Sequence, residues 1–166
     1  MEENHYNILD QPEQTVAVRY GGFWERFAAA FIDSIILMIA SKILSMAFFA
    51  QPHLNLDPYG EENVWSAIGQ FYMESLPSIV TSVAINWLYF AYMESSVNQG
   101  TIGKMALNLK VTDLNGERIS FGRATGRFFA KYISSITLLI GYIMAAFTER
   151  KQALHDMIAG TYVIKK

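Results

Sequence analysis

Phe27-Ala28-Ala29-Ala30-Phe31-Ile32-Asp33-Ser34-Ile35-Ile36-Leu37-Met38-Ile39-Ala40-Ser41-Lys42-Ile43-Leu44-Ser45-Met46-Ala47-Phe48-Phe49-Ala50 is the stretch that decides the fold. Crossing the hydrocarbon core of a bilayer takes roughly 20 consecutive apolar residues, and this run has about two dozen. Only Asp33 and Lys42 in it are charged. It reads as a membrane-spanning helix that carries a carboxylate at a depth where a carboxylate is expensive. The helix is expected to stop near Gln51-Pro52, because the residue before a proline is pushed away from helical angles.

The surrounding sequence agrees. Tyr20, Phe23 and Trp24 lie beside Arg19 and Arg26, an arrangement suited to the headgroup level, where amphipathic rings collect. Residues 1–19 form a polar arm, and residues 20–166 read as one membrane domain. The leader is acidic (Glu2, Glu3, Asp10, Glu13) and has no basic n-region, so it is not a signal peptide. The first apolar helix is therefore expected to serve as its own insertion signal. Over the whole chain 17% of residues are charged, below the quarter or so of soluble domains, and 52% are apolar.

Gln51 to Ser75 contains no Lys or Arg, and Val64 to Met73 within it reads as a short interfacial helix anchored by Trp65, Phe71 and Tyr72. Pro77 to Met93 is a second span at the short limit, with Pro77 in its first turn. Glu94 to Lys131 carries Lys104, Lys110, Arg118, Arg123, Arg127 and Lys131, which places this stretch and the N-terminus in the cytoplasm by the positive-inside rule. Met105, Leu107, Leu109 and Val111 alternate with polar residues, and Asn115-Gly116 is a strong hairpin signal, so a small hairpin is expected over Met105 to Ile119.

The third apolar segment, Tyr132 to Phe147, admits two readings. A straight span would put Arg150, Lys151, Lys165 and Lys166 outside, against the charge rule. A re-entrant or interfacial pair bent near Gly141 would keep both ends inside. The expected fold is thus an all-α integral membrane protein with two firm transmembrane helices (about 27–50 and 77–93). A third apolar segment (about 132–147) and a small cytoplasmic β-hairpin (about 105–119) complete it.

Arg26 and Asp33 are seven residues apart, within about 20° of one helix face but roughly 10 Å apart along the axis. They cannot touch in a straight helix, so a third group must complete any network. Ala30, Asp33, Leu37 and Ser41 form a small-residue packing face, and Lys42 points away from it toward the outer interface. Ser78, Ser82 and Asn86 follow at four-residue spacing, with Asn86 placed to meet Asp33 or Ser41. Near the C-terminus, Lys151 to Ile158 reads as a helix ended by Gly160, followed by a strand Thr161 to Ile164 that adds to the hairpin. His155 and Asp156 point about 100° apart on that helix and make a poor metal pair. Gly103-Lys104 lacks the upstream glycine of a phosphate loop, and no nucleophile–base or paired-carboxylate motif is present. No enzyme activity, cofactor, metal or nucleic-acid partner is expected.

Three blocks carry a resemblance: Gly22-Phe23-Trp24-Glu25-Arg26-Phe27-Ala28-Ala29-Ala30-Phe31-Ile32-Asp33, Gly100-Thr101-Ile102-Gly103-Lys104-Met105-Ala106-Leu107, and His155-Asp156-Met157-Ile158-Ala159-Gly160-Thr161. With these blocks the chain resembles, over about residues 20–164, the RDD family of bacterial membrane proteins, named for one arginine and two aspartates. On that match Arg26, Asp33 and Asp156 correspond to the naming residues. The resemblance implies a multi-pass protein of the cytoplasmic membrane with a suspected role in transport of unidentified ligands, cation/proton exchange having been proposed for some members.

Two functional expectations follow. In the first the chain transports a small ligand, a cation exchanged against protons being one case. Asp33 is then the titrating carboxylate, Arg26, Asp156, Asn86 and Ser41 lie along the path, and His155 and Lys104 hold secondary positions. Two or three spans can hardly enclose a pathway, so a homo-oligomer in the bilayer is expected. In the second the chain is a non-transporting scaffold or accessory subunit, and Arg26, Asp33 and Asp156 form a structural ionic lock.

Overall fold

The computed structural model describes residues 18–48, 64–136 and 140–166. In chain order the elements are α1 (Phe23–Phe48), α2 (Val64–Ser95), α3 (Ile102–Ala106), β1 (Leu109–Asp113), α4 (Phe121–Ile136), α5 (Ile140–Phe147), α6 (Leu154–Ala159) and β2 (Thr161–Lys165).

The two long helices have surfaces suited to lipid. α1, with 26 residues, buries Ala29, Asp33 and Leu37, a single stripe at four-residue spacing. Phe27, Phe31, Ile35, Met38, Ile39, Ile43 and Met46 lie exposed around the rest of it. At about 1.5 Å per residue both helices exceed the roughly 30 Å hydrocarbon core. α1 begins four residues before the expected Phe27, and the arm at 1–17 and the stop at 51–52 lie outside the described residues.

α2 corrects the reading of residues 64–93. The expected interfacial helix and the expected span are one continuous helix of 32 residues, with Pro77 inside it. Proline lacks an N–H and frees the carbonyl four residues earlier, that of Met73, a break that spanning helices tolerate. Ser75 Oγ donates to Phe71 O (2.7 Å) and Ser78 Oγ to Ser75 O (2.8 Å) on either side of Pro77. The preference of proline for a first turn is local, and the apolar helix on both flanks overrides it.

The sheet has two antiparallel strands, with Val111 opposite Val163 and Asp113 opposite Thr161. The partner of β1 is therefore the C-terminal strand. The arm after Asn115-Gly116 does turn back, with Asp113 N donating to Glu117 O (2.9 Å) and Gly116 at φ +85°. It is then spent starting a helix, since Ser120 Oγ accepts from Arg123 N (3.2 Å). On its other side β2 meets the chain just before α1. Gly21 N donates to Val163 O (2.9 Å) and Lys165 N to Arg19 O (2.8 Å).

That pairing bears on the third apolar segment. α4 and α5 are not one straight helix: their axes differ by 101°. Gly141 packs so closely on Ser134 that a Cβ there would lie 2.9 Å from the Ser134 Cα. The chain from α4 onward returns to Arg19 and Gly21, so β2 ends beside the start of α1. A small core of Ala29, Ala91, Leu109, Val111, Ile119, Ala124 and Val163 joins the sheet to the ends of α1, α2 and α4.

Candidate functional site

Two polar centres sit where α1 begins and α2 ends. The first is Asp33, 1% exposed. Its Oδ1 accepts from Tyr89 Oη (2.7 Å) and from Gly103 N (2.8 Å), and its Oδ2 accepts from Thr101 Oγ1 (2.6 Å). Tyr89 Oη in turn accepts from Ile102 N (3.0 Å). One carboxylate thus fastens α3 to α1 and α2. The approach requires glycine, because a Cβ at residue 103 would fall 3.0 Å from Asp33 Cγ and inside contact distance of the Ala29 carbonyl.

The second centre is a chain of alternating charges. Arg26 Nη1 is paired with Asp156 Oδ2, while Arg26 Nε donates to Gly21 O (2.9 Å). Asp156 Oδ1 accepts from Arg127 Nε (2.9 Å) and Nη2 (2.5 Å). Arg127 Nη1 continues to Glu94 Oε2 (2.6 Å). Glu94 Oε1 is paired with Lys104 Nζ and has Lys131 Nζ at 3.8 Å. Glu94 and Arg127 are each 1% exposed and Asp156 is 0%, so each charge depends on its partners. Gly103 and Lys104 connect the centres: one peptide unit serves Asp33 and the next side chain serves Glu94.

Local sequence explains the placement. α4 is strongly amphipathic, and Ala124, Arg127, Phe128 and Ser134 lie on its buried side at helical spacing. Asp156 sits at the third position of α6, where its Oδ2 accepts from Ala153 N (3.1 Å). Gly160, at φ +59°, ends that helix in the left-handed conformation as expected.

Burial alone would raise the Asp156 carboxyl, but Arg127 and Arg26 outweigh it and hold the group well below the ordinary carboxylate range. Burial drives His155 down to about 3, with Asp156 opposing and Arg127 reinforcing. His155 Nε2, 3.4 Å from Asp156 Oδ1, is therefore neutral near pH 7 and supplies no countercharge. Burial also lowers the Lys104 ammonium, an effect that Glu94 offsets in part.

A cavity of about 550 Å³ opens beside this network, bordered by Arg26, Asp33, Lys104, Arg127, Lys131 and His155. Phe23, Phe27, Phe90 and Tyr142 form part of its wall. A second, more open space of about 620 Å³ lies between α1, α2 and α4, and Ser41, Lys42 and Asn86 line it. The expected site residues are thus divided. Arg26, Asp33, Asp156, Lys104 and His155 gather at one end, and Ser41 and Asn86 lie elsewhere. Asn86 does not meet Asp33: its Nδ2 donates to Ser82 O (2.8 Å) within α2, and Tyr89, nearly one turn later, reaches the carboxylate instead. Lys42 borders the second space beside Ser41.

Sequence reasoning missed Tyr89, Glu94, Thr101, Arg127 and Lys131 as site residues. The spacing of Ala124, Arg127, Phe128 and Lys131 is the signal that carried two of them, since it puts cations on an otherwise apolar helix face.

The sequence model of the RDD family matches residues 20–160. The chain belongs to the RDD family. A Bacillus subtilis (strain 168) relative, "Uncharacterized protein YxaI", is 39% identical over 87% of this chain and 97% of its own length. From the same organism, "Uncharacterized membrane protein YteJ" is 30% identical over 98% of this chain and 93% of its own length. A Rickettsia prowazekii protein, RP437, is 39% identical over 39% of the chain. No solved structure matches. In this RDD protein Arg26 and Asp156 are in direct contact, and Asp33 belongs to the neighbouring centre.

Proposed function

We propose that this RDD-family protein carries a small ligand across the bacterial cytoplasmic membrane, with the ligand held in the 550 Å³ cavity at the base of the spans. The observation that carries this reading is the cavity itself. A purely structural lock has no use for an open space bordered by four cationic side chains, whereas a ligand site is concave and has a few convergent polar groups. The N-terminus is cytoplasmic in this reading, since Arg19 and Arg26 lie at the same end as Lys104, Arg127 and Lys131. Two long helices, those of the described residues, cannot by themselves enclose a route through the bilayer, so the working unit is a homo-oligomer. Asp33, held by three donors, positions α3 against α1 and α2.

The test is flux in proteoliposomes. Cation-dependent proton movement and ligand-dependent dye release are followed for the wild type, Lys131→Gln and Asp33→Asn. Transport that is lost in Lys131→Gln supports the cavity. Wild-type vesicles no leakier than empty ones under every gradient would end the transport reading.

A second reading, a non-transporting scaffold, is favoured by the Arg26–Asp156 pair, which docks α6 onto α1. It expects such vesicles to remain tight, with every network substitution acting on stability alone.

A further inference from the structure

The cavity at the base of α1 is unbalanced in charge. Arg26, Lys104, Arg127 and Lys131 border it, against Glu94, Asp156 and an Asp33 already occupied by three donors. Surplus positive charge out of water is costly unless an anion accompanies it. Two donors are incompletely used. Arg26 Nη2 is buried and has no acceptor among the described residues. Lys131 Nζ stands 3.7 Å over the Phe90 ring and no nearer than 3.8 Å to Glu94. The cavity's rim has a different character from its floor. Phe27 and Ile143 border it, yet they are 56% and 44% exposed on the surface that the helices otherwise offer to lipid. The site therefore combines a cationic floor with an apolar edge open to acyl chains.

We propose that this cavity binds the phosphate group of an anionic phospholipid, seated against Arg26 and Lys131, with its acyl chains leaving past Phe27 and Ile143. Basic pockets between membrane helices take anionic headgroups for this reason. Free phosphate shares the charge but makes no use of the apolar rim. The proposal deepens the ligand-cavity reading above and rests on it, but it does not depend on transport.

The experiment uses the full chain purified in mild detergent, with retained lipid counted by native mass spectrometry. Phosphatidylglycerol, phosphatidylcholine and inorganic phosphate are the three probes. Phosphatidylglycerol should be retained at least tenfold better than phosphatidylcholine. Lys131→Gln and, independently, Ile143→Trp at the rim should each reduce that retention about fivefold or more. The rim variant leaves the ionic network intact, so its effect reports on the cavity even if Lys131→Gln fails to fold. Equal retention of the two lipids would overturn the proposal, as would inorganic phosphate displacing phosphatidylglycerol at equal concentration. Flux without phosphatidylglycerol preference would sink this proposal alone; phosphatidylglycerol retention without flux would sink only the transport reading.

Discussion

The Arg26 guanidinium is paired with the Asp156 carboxylate, across 130 residues of chain. The contact ties the first turn of α1 to α6, and Arg127 holds the other oxygen of the same carboxylate. Asp156 therefore sits between two arginines, and both guanidiniums are largely shut off from water.

Asp156→Asn preserves shape and removes the charge, leaving Arg26 and Arg127 short of a counterion. Breaking one partner of a buried pair costs about 3–5 kcal/mol, which thermal unfolding in detergent will register as a lower Tm. The Arg26→Gln/Asp156→Asn double variant should lose less than the two single losses combined. Strict additivity would show that the two side chains share no contact.

Acidification should destabilise the protein through His155 before it reaches Asp156. The folded His155 titrates at about 3, against 6.5 ordinarily. Below pH 6.5 the unfolded chain binds a proton that the folded one refuses, so stability falls as pH falls from 6.5 toward 3. At pH 5 the loss is about 2 kcal/mol. His155→Gln should flatten the change in Tm between about pH 7 and pH 5. Asp156, whose folded value is depressed, adds stability above its ordinary range that is lost only in stronger acid.

Gly103→Ala should lower Tm substantially, by about 2–3 kcal/mol of stability, because overpacking must force α3 away from α1. Gly122→Ala in α4 meets nothing within 4 Å and should be neutral or slightly stabilising. Similar effects from both would show that the Gly103–Asp33 approach is not tight.

Tyr89→Phe removes one of three donors to the Asp33 carboxylate and the acceptor of Ile102 N, and should cost about 1.5–3 kcal/mol. Asp33→Asn disturbs all three bonds and should cost more, with a Tm deficit that Tyr89→Phe does not deepen by its full single-site amount. A Tyr89→Phe loss of the same size with and without Asp33→Asn would separate the two groups.

The spans were legible because spanning is a local property: Phe27 to Ala50 is long and apolar whatever surrounds it. The α6 stop at Gly160 and the strand after it were legible for the same reason, each resting on a few adjacent residues. Pro77 misled because a local bias was weighed without the helix on both sides of it. The Asn115-Gly116 turn was real, but a turn does not choose its strand's partner, and β2 reached β1 from the far end of the chain.

By itself the sequence determined that long apolar helices are present and that Arg26 and Asp33 share a face at a spacing that keeps them apart. Only the tertiary structure decided that the two side chains enter separate centres, and which partners each one meets. Helical periodicity gives the direction in which a side chain points, and it is silent about what another element brings to meet it. The fold brings Asp156 and Arg127 to Arg26, and Gly103, Thr101 and Tyr89 to Asp33, because buried charges and buried N–H groups must find partners wherever packing closes them off from water.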